Sequence, residues 1–253
     1  MATGGDDTPA LFKFPRTRHL FDAGGHGVSR DDLLMDRTEA DAFYSKRGGR
    51  QTVVTVEEKV DGANLGISIS PSDYRIMVQN RAHYVNSQTH KQFALLDQWL
   101  DEHSAALFDV IEPGRHVLFG EWLYAKHSIH YTRLPGYFLA FDIYDRKAGR
   151  FLSRRARNRR LESSGIPTVR LIAECPIRDQ KHVLQLLDSP SGFYDGPCEG
   201  LYLRIDDDVD PQKEKEADHF LLQRTKVVRP DFLQQIEEQW TRQKLTKNIV
   251  VFH

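Results

Sequence analysis

Cysteine is scarce in this chain. The two that occur among 253 residues, Cys175 and Cys198, are too few and too widely spaced for a structural zinc site and allow at most one disulfide. A reducing compartment is the expectation. Nor does one sign of charge dominate: 35 lysines and arginines face 36 aspartates and glutamates, a formal net charge of -1. Attraction to a phosphate polymer or an anionic membrane must therefore come from local clusters, which excludes a histone-like coating protein. The sequence also lacks any run of about eighteen apolar residues, the length a membrane span requires. Met1 to Ala10 carries two aspartates and no apolar stretch, unlike a secretory leader. A soluble intracellular protein without a membrane partner is expected. With 40% hydrophobic and 28% charged residues, the chain can build a true core, and disorder is excluded for most of its length.

Met1 to Pro9 is small and polar and is expected to fray. Leu11 to Leu20 (LFKFPRTRHL) mixes aromatic and basic residues ahead of a glycine-rich loop, Ala23 to Val28. From Thr52 the text becomes β-branched and alternating. Thr52 to Val60, Leu65 to Ile69 and Tyr74 to Val78 read as three successive strands, the last after a Pro-Ser-Asp turn. Phe93, Leu96, Leu100 and Leu107 fall on one face of a helix over Lys91 to Ile111, stopped by Pro113-Gly114. His116 to Tyr124 and Tyr137 to Tyr144 are aromatic-rich strands. Ser153 can cap a basic helix ending at Gly165, and Asp179 to Leu187 is a second helix. Strands resume at Gly200 to Ile205 and Phe220 to Val228, around a charged loop, Asp206 to Asp218; Pro230 to Lys244 reads as a closing helix. Adjacent hairpins with separate helices predict one α+β domain rather than a doubly wound parallel sheet. Its expected parts are a disordered start (1–10), an amino-terminal arm (11–50), a catalytic core (51–228) and a closing helix and tail (229–253).

The chemistry-bearing residues stand at strand ends and centres. Lys59 lies in Glu58-Lys59-Val60-Asp61-Gly62-Ala63-Asn64. Asp-Gly is a favoured hairpin pair, so a plain turn is one reading. A nucleophilic lysine is the other, and it needs a partly buried amine whose neighbours favour the neutral form. Four more segments share this placement: Gln79-Asn80-Arg81, Phe119-Gly120-Glu121-Trp122, Phe141-Asp142, and Glu199-Gly200 with Arg224-Thr225-Lys226. Glu121 and Glu199 stand in apolar strands, where a carboxylate is costly to bury without a cation. Phe141 by itself is most simply a core residue. His127 and His130 are spaced for a metal only on a helix, and their surroundings predict strand or loop. Arg146 to Arg160 holds a dense basic run. Such a run is commonly a solvated helix face, yet Arg154, Arg155 and Arg157 are the best candidates here for gripping a nucleic acid.

In order and spacing these segments resemble the motifs of the covalent nucleotidyltransferases, the superfamily of polynucleotide ligases and messenger-RNA capping enzymes. The resemblance implies an adenylation fold of mostly antiparallel sheets flanked by helices. It makes Lys59 the residue that takes up the nucleotide, with Glu58, Asp61 and Gly62 around it. Arg81 matches the arginine of the next motif, Glu121 the ribose-binding glutamate and Phe141 the base-stacking aromatic. Glu199 matches the glutamate associated with metal and catalysis, and Lys226 the lysine at the α-phosphate.

Two details point to ATP-dependent RNA ligases similar to the phage double-strand-sealing type. Asn64 stands where DNA ligases and capping enzymes usually carry arginine. Only Val227 to His253 follows Lys226, too short for an oligonucleotide-binding barrel, so no such domain is expected. The family usually has lysine where Arg224 stands; arginine keeps the charge but cannot deprotonate. The implied cofactors are ATP and Mg2+ or Mn2+, with Glu121 and Glu199 near the metal through water and Lys226 and Arg224 facing phosphate. The implied partner is RNA with 5′-phosphate and 3′-hydroxyl ends, as in RNA repair, acted on by a monomer. Two alternatives remain: a drifted nucleotide- or RNA-end-binding module, and a DNA ligase or capping-type enzyme.

Overall fold

The computed structural model describes residues 10–24, 33–44, 46–47, 50–206, 223–230 and 245–251. The expected frayed start (1–9), most of the glycine-rich loop, the charged loop beyond Asp206 and the closing helix beyond Pro230 lie outside the described residues. In chain order the elements are β1 (Arg18–His19), α1 (Arg37–Tyr44), β2 (Lys46–Arg47), β3 (Arg50–Gln51), β4 (Val53–Lys59), β5 (Ala63–Ile69) and β6 (Ile76–Gln79). Then come α2 (Leu96–Val110), β7 (His116–Trp122), β8 (Phe138–Asp145), β9 (Arg150–Phe151), α3 (Arg154–Leu161), β10 (Leu171–Pro176), α4 (Gln180–Leu187), β11 (Gly200–Arg204) and β12 (Arg224–Val228). This is the α+β class the sequence predicts. Among the described residues no helix is long and apolar enough to cross a membrane.

The chain divides into two compact units. The first comprises Met1–Phe14, Ala63–Tyr124 and Phe138–Thr168; the second comprises Pro15–Gly62, Ala125–Tyr137 and Val169–His253. β4 and β5 belong to different sheets. Asp61-Gly62 is therefore not a hairpin turn, and the plain-turn reading of the Lys59 segment is corrected.

The first unit holds an antiparallel sheet of order β6-β5-β7-β8-β9. Leu65, Ile67, Leu118 and Phe138 are buried on it, as are Leu96, Trp99 and Leu107 of α2. Trp99 packs against Trp122 and Phe138 at 6.1 and 5.1 Å. The expected helix from Lys91 begins as a 3-10 turn, Lys91–Phe93, capped by His90, and turns α-helical only at Leu96. α3 starts as predicted, with the Ser153 hydroxyl accepting from the Ala156 N–H.

The second unit holds the order β1-β12-β11-β4-β10, with β1 parallel to β12 and the other pairs antiparallel. Val54, Val56, Leu201, Leu203 and Val227 form one apolar face with Phe43 of α1 and Val183 and Leu187 of α4. β1, α1, β2, β3, β9 and β10 are not foreseen from the sequence. β10 is an edge strand that is nowhere fully buried and ends in proline, so it carries little alternation to detect.

The β8–β9 connection rests on one carboxylate. Asp145 Oδ1 accepts from the Lys147 and Ala148 N–H groups at 2.9 and 3.0 Å, and Gly149 supplies the left-handed backbone at φ 68. Arg115 grips the same carboxylate through Nε (3.0 Å) and Nη2 (2.7 Å). Burial alone would raise the Asp145 pKa, but the Arg115 hydrogen bonds and charge and the Ala148 N–H hold it at about 2. A carboxylate with a depressed folded pKa stabilises above its ordinary value of 3.8 and loses that contribution as pH falls toward about 2. Asp145→Asn should therefore lower the unfolding temperature at neutral pH, and the gap from wild type should close between pH 4 and 2. A gap that stays constant down to pH 2 would remove the ion pair from the account.

Candidate active site

In the second unit the sheet's two faces differ. Side chains alternate along each strand, and the register sets Lys59, Glu57 and Thr55 of β4 beside Gly200, Tyr202 and Arg204 of β11 and Val228, Lys226 and Arg224 of β12. This face is polar and charged, opposite the apolar one. Lys59 Nζ lies 2.7 Å from Glu199 Oε1, with the lysine side chain 25% exposed and the glutamate 2%. A methyl group at Gly200 would come within 2.6 Å of the Val227 carbonyl and 3.3 Å of Lys59 Cδ. Glycine thus clears the lysine's path.

Burial, opposed by Lys59 and reinforced by the Asp61 charge, pushes the Glu199 carboxyl up to about 7. Its other oxygen, Oε2, is buried without a hydrogen-bond partner. The pair thus sets a primary amine against a carboxylate of near-neutral pKa, able to take a proton and to face a cation. Asp61 is pinned from both ends: its N–H donates to Tyr131 Oη at 3.0 Å, and its Oδ2 accepts from the Ser128 N–H and Oγ at 3.1 and 2.7 Å. Lys226 is half-buried at the centre of β12, its carbonyl accepting from the Leu20 N–H at 2.9 Å.

Two expected site residues of this unit have other partners. Glu58 points to the opposite face from Lys59. Its carboxylate is 1% exposed and accepts from Ser191 Oγ (2.5 Å) and the Gly192 N–H (3.0 Å), with Arg170 Nε at 3.3 Å. Arg224, expected to face phosphate, is 4% exposed. It pairs with Asp206 at 2.8 Å and donates to the Ile205 and Gln223 carbonyls. Asp206 also holds Arg204, which reaches Glu57 at 3.4 Å with both side chains fully buried. Two guanidinium groups and two carboxylates thus balance, and the Arg224 charge is already matched within the protein.

In the first unit, Asn64 of β5 lies opposite Glu121 of β7, and Glu121 opposite Leu139 of β8. The register slips next to this point: Gly120 pairs with Ala140 and Phe119 with Asp142, so Phe141 is the extra residue of a β-bulge. A bulge re-aims a side chain. Phe141 is half-buried, and its carbonyl accepts a short hydrogen bond from Arg157 Nη1. That corrects the expectation for Arg157, which is fully buried and cannot face a nucleic acid. On α3, Arg155 and Arg159 are exposed and Arg154 is half-buried. Arg81 is exposed on the turn after β6. Glu57, Arg204, Asp206, Ser128 and Tyr131 join these networks without standing out in the sequence. The consecutive acids Glu57-Glu58 in a β-branched strand are the signal for the first three, since one must lie on each face.

A family model described as RNA ligase matches residues 52–228, the span that carries all of these residues. The chain belongs to the RNA ligase family. Solved structures of the Naegleria gruberi RNA ligase share the fold. A mutant with ATP and Mn superposes with a TM-score of 0.57 at 15% identity, covering 90% of this chain and 63% of that one. The same enzyme with PPi gives 0.54 at 16%, covering 91% and 64%; a mutant with AMP and Mn gives 0.55 at 15%, covering 88% and 62%. This RNA ligase family member thus spans under two thirds of the length of those proteins. No curated protein sequence matches the chain.

The Arg224 geometry makes a direct prediction. Removing one partner of a buried ion pair typically costs about 3–5 kcal/mol. Arg224→Ala should lose stability on this scale in denaturant unfolding. A stability within about 0.5 kcal/mol of wild type, the range of an ordinary surface change, would return Arg224 to the role of a solvent-facing cation.

Proposed function

We propose that this chain is an ATP-dependent RNA ligase that joins 5′-phosphate to 3′-hydroxyl RNA ends through a lysyl-AMP intermediate. The observation that carries this reading is the 2.7 Å contact between Lys59 Nζ and the buried Glu199 carboxylate, inside the matched span 52–228. The Naegleria gruberi structures hold ATP, AMP and PPi, which are the reactant, the transferred group and the leaving group of the first step proposed here.

In that step Lys59 Nζ gives up a proton and attacks the α-phosphorus of ATP. A P–N bond forms, the bond to the bridging oxygen breaks, and pyrophosphate leaves. The AMP then passes to an RNA 5′-phosphate, freeing the lysine. A 3′-hydroxyl finally attacks that phosphate and expels AMP. Glu199 Oε1 holds the Lys59 ammonium and is placed to accept its proton; a Glu58 locked behind the strand fixes the backbone that presents it. Lys226 faces the α-phosphate, while Arg224 supports β12 through Asp206 rather than touching substrate. Asp61 and Gly62 shape the turn after the nucleophile. Asn64 and Glu121 serve the ribose, Phe141 stacks on the base, and Arg81 takes a phosphate.

A divalent ion, Mg2+ or Mn2+, supplies charge neutralisation on the phosphate when bound. The orphaned Glu199 Oε2 is a fitting carboxylate oxygen for its water shell, and Glu121 is the second carboxylate proposed for it. Mg2+ is ordinarily held by one or two carboxylates plus substrate phosphates. Arg154 and Arg155 on α3 are proposed to hold RNA phosphates, joined by the exposed Arg159. The proposed organisation is a single nucleotidyltransferase domain with its core at 51–228, acting inside a reducing compartment.

Incubation with ATP and Mg2+ should add one AMP to the protein, released by acid and read by intact-protein mass spectrometry. An adduct that persists in Lys59→Ala refutes the assignment of the nucleophile. No adduct in wild type favours a drifted end-binding module. Preference for GTP or for DNA ends would instead indicate the capping or DNA ligase branch.

Lys226→Ala should slow single-turnover adenylylation by about a hundred- to thousandfold, the usual cost of losing one oriented charge aimed at a developing anion. Glu199→Gln, which removes the proton acceptor of Lys59, should slow it by about a hundredfold or more, the usual contribution of a positioned general base. Rates near wild type in both would sink the mechanism.

A further inference from the structure

We infer that Phe14, on the amino-terminal arm, is a positioning residue for the base-stacking ring Phe141, and so sets how tightly the adenine base is held. The inference rests on the role proposed above for Phe141. Phe141 is the extra residue of the β7/β8 bulge, where the register steps from Phe119–Asp142 to Gly120–Ala140. Backbone pairing there does not fix the tilt of its ring. Phe14 meets that ring at 5.2 Å and 79°, a T-shaped contact. Such an edge-on contact takes up at most one face of Phe141. Phe14 is 8% exposed and also packs against Phe119 at 5.1 Å and Phe151 at 5.4 Å.

The arm that carries Phe14 is anchored within the same unit. The Gln79 side chain, 1% exposed, donates to the Phe12 carbonyl at 2.7 Å and accepts from the Phe12 N–H at 3.3 Å. The Phe12 ring stacks on Tyr144 at 3.6 Å. Arg146 Nη2 donates to the Ala10 carbonyl at 3.0 Å and sets its guanidinium carbon 6.0 Å from the Phe12 ring centroid. A methyl at Gly66 would come within 2.6 Å of the Phe119 ring and 3.1 Å of Gln79 Cγ, so glycine there admits the two side chains the arm rests on. A backbone pinned through both polar groups of Phe12 delivers Phe14 in one orientation. An apolar cover would need no such pinning.

The test compares Phe14→Ala, Phe14→Leu, Phe14→Tyr and Phe141→Ala in the full chain, measuring ATP dependence of adenylylation and inhibition by inorganic tripolyphosphate, which has no base. Aromatic pairs of this geometry couple by an amount equal to about a two- to tenfold change in affinity. Phe14→Ala and Phe14→Leu should raise the KM for ATP by that factor and move kcat less. Tripolyphosphate inhibition should stay unchanged, and Phe14→Tyr should restore the KM. Adding Phe14→Ala to Phe141→Ala should bring no further rise. A purely structural role would lower the active fraction and the unfolding temperature while leaving the KM of the folded enzyme alone. Phe14→Leu fills most of the volume, so it decides the question even if the alanine variant fails to fold. If Phe141→Ala weakens ATP but the Phe14 variants do not, the positioning inference is overturned. If Phe141→Ala itself leaves the KM unchanged, the base-stacking role of Phe141 falls first.

Discussion

Three consecutive charged side chains on a central, buried strand impose a constraint that the second unit is built around. Glu57, Glu58 and Lys59 close β4, which lies between β11 and β10. Strand alternation sends the two glutamates to opposite faces, and both are essentially unexposed. A bare buried carboxylate is too costly to keep, so each needs its own partners: Arg204 for Glu57, and Ser191, Gly192 and Arg170 for Glu58. Lys59 is the third, and its partner Glu199 is the residue just before β11. The strand is therefore clamped from both faces immediately before the Lys59 amine. Two buried, partnered carboxylates next to Lys59 fix the backbone that presents its side chain.

The same accounting explains which charges on the polar face are available. Arg204, Arg224, Glu57 and Asp206 balance one another. Near the amine, Glu199 is opposed by Lys59 and, more weakly, by Lys226, yet burial still carries it to about 7. A carboxyl poised there can hold an ammonium as the anion and is a better proton acceptor than a solvated glutamate. A fully solvated glutamate would be committed to the anion, and a fully dry, unpaired one to the acid.

Much of this was legible in the sequence. The three strands after Thr52 and the Ser153-capped and Asp179-capped helices follow from alternation and caps, which are local signals. Glu199 was legible because a carboxylate in an apolar strand calls for a cation, and Lys59 by its Lys-x-Asp-Gly motif. The partnerships were not legible. Nothing near Arg224 says that Asp206 claims it, since that pair closes across β11 and β12 and depends on register. Arg157 is harder still: inside a run of arginines it reads as surface, and only the fold shows a bulge carbonyl that needs a buried donor. The short edge strand β10 and the two-residue β1 carry too few residues for periodicity to speak.

The basic run shows how one helix serves two ends. Along α3, Arg157 turns inward to the Phe141 carbonyl and Arg160 to the Val110 carbonyl at 2.7 Å, while Arg155 and Arg159 remain exposed. The inward pair satisfies backbone groups that a bulge and a helix end leave unpaired. Charge density read from sequence therefore overstates the surface field, because part of it is consumed in fixing the backbone beneath. What remains outside is sparse, and a polymer held by it would be gripped through few phosphates, with a correspondingly shallow dependence on salt. Phe141 is tied to that helix through its carbonyl and to the amino-terminal arm through its ring. Its orientation thus depends on contacts remote in sequence, which is why the aromatic motif by itself does not define the site.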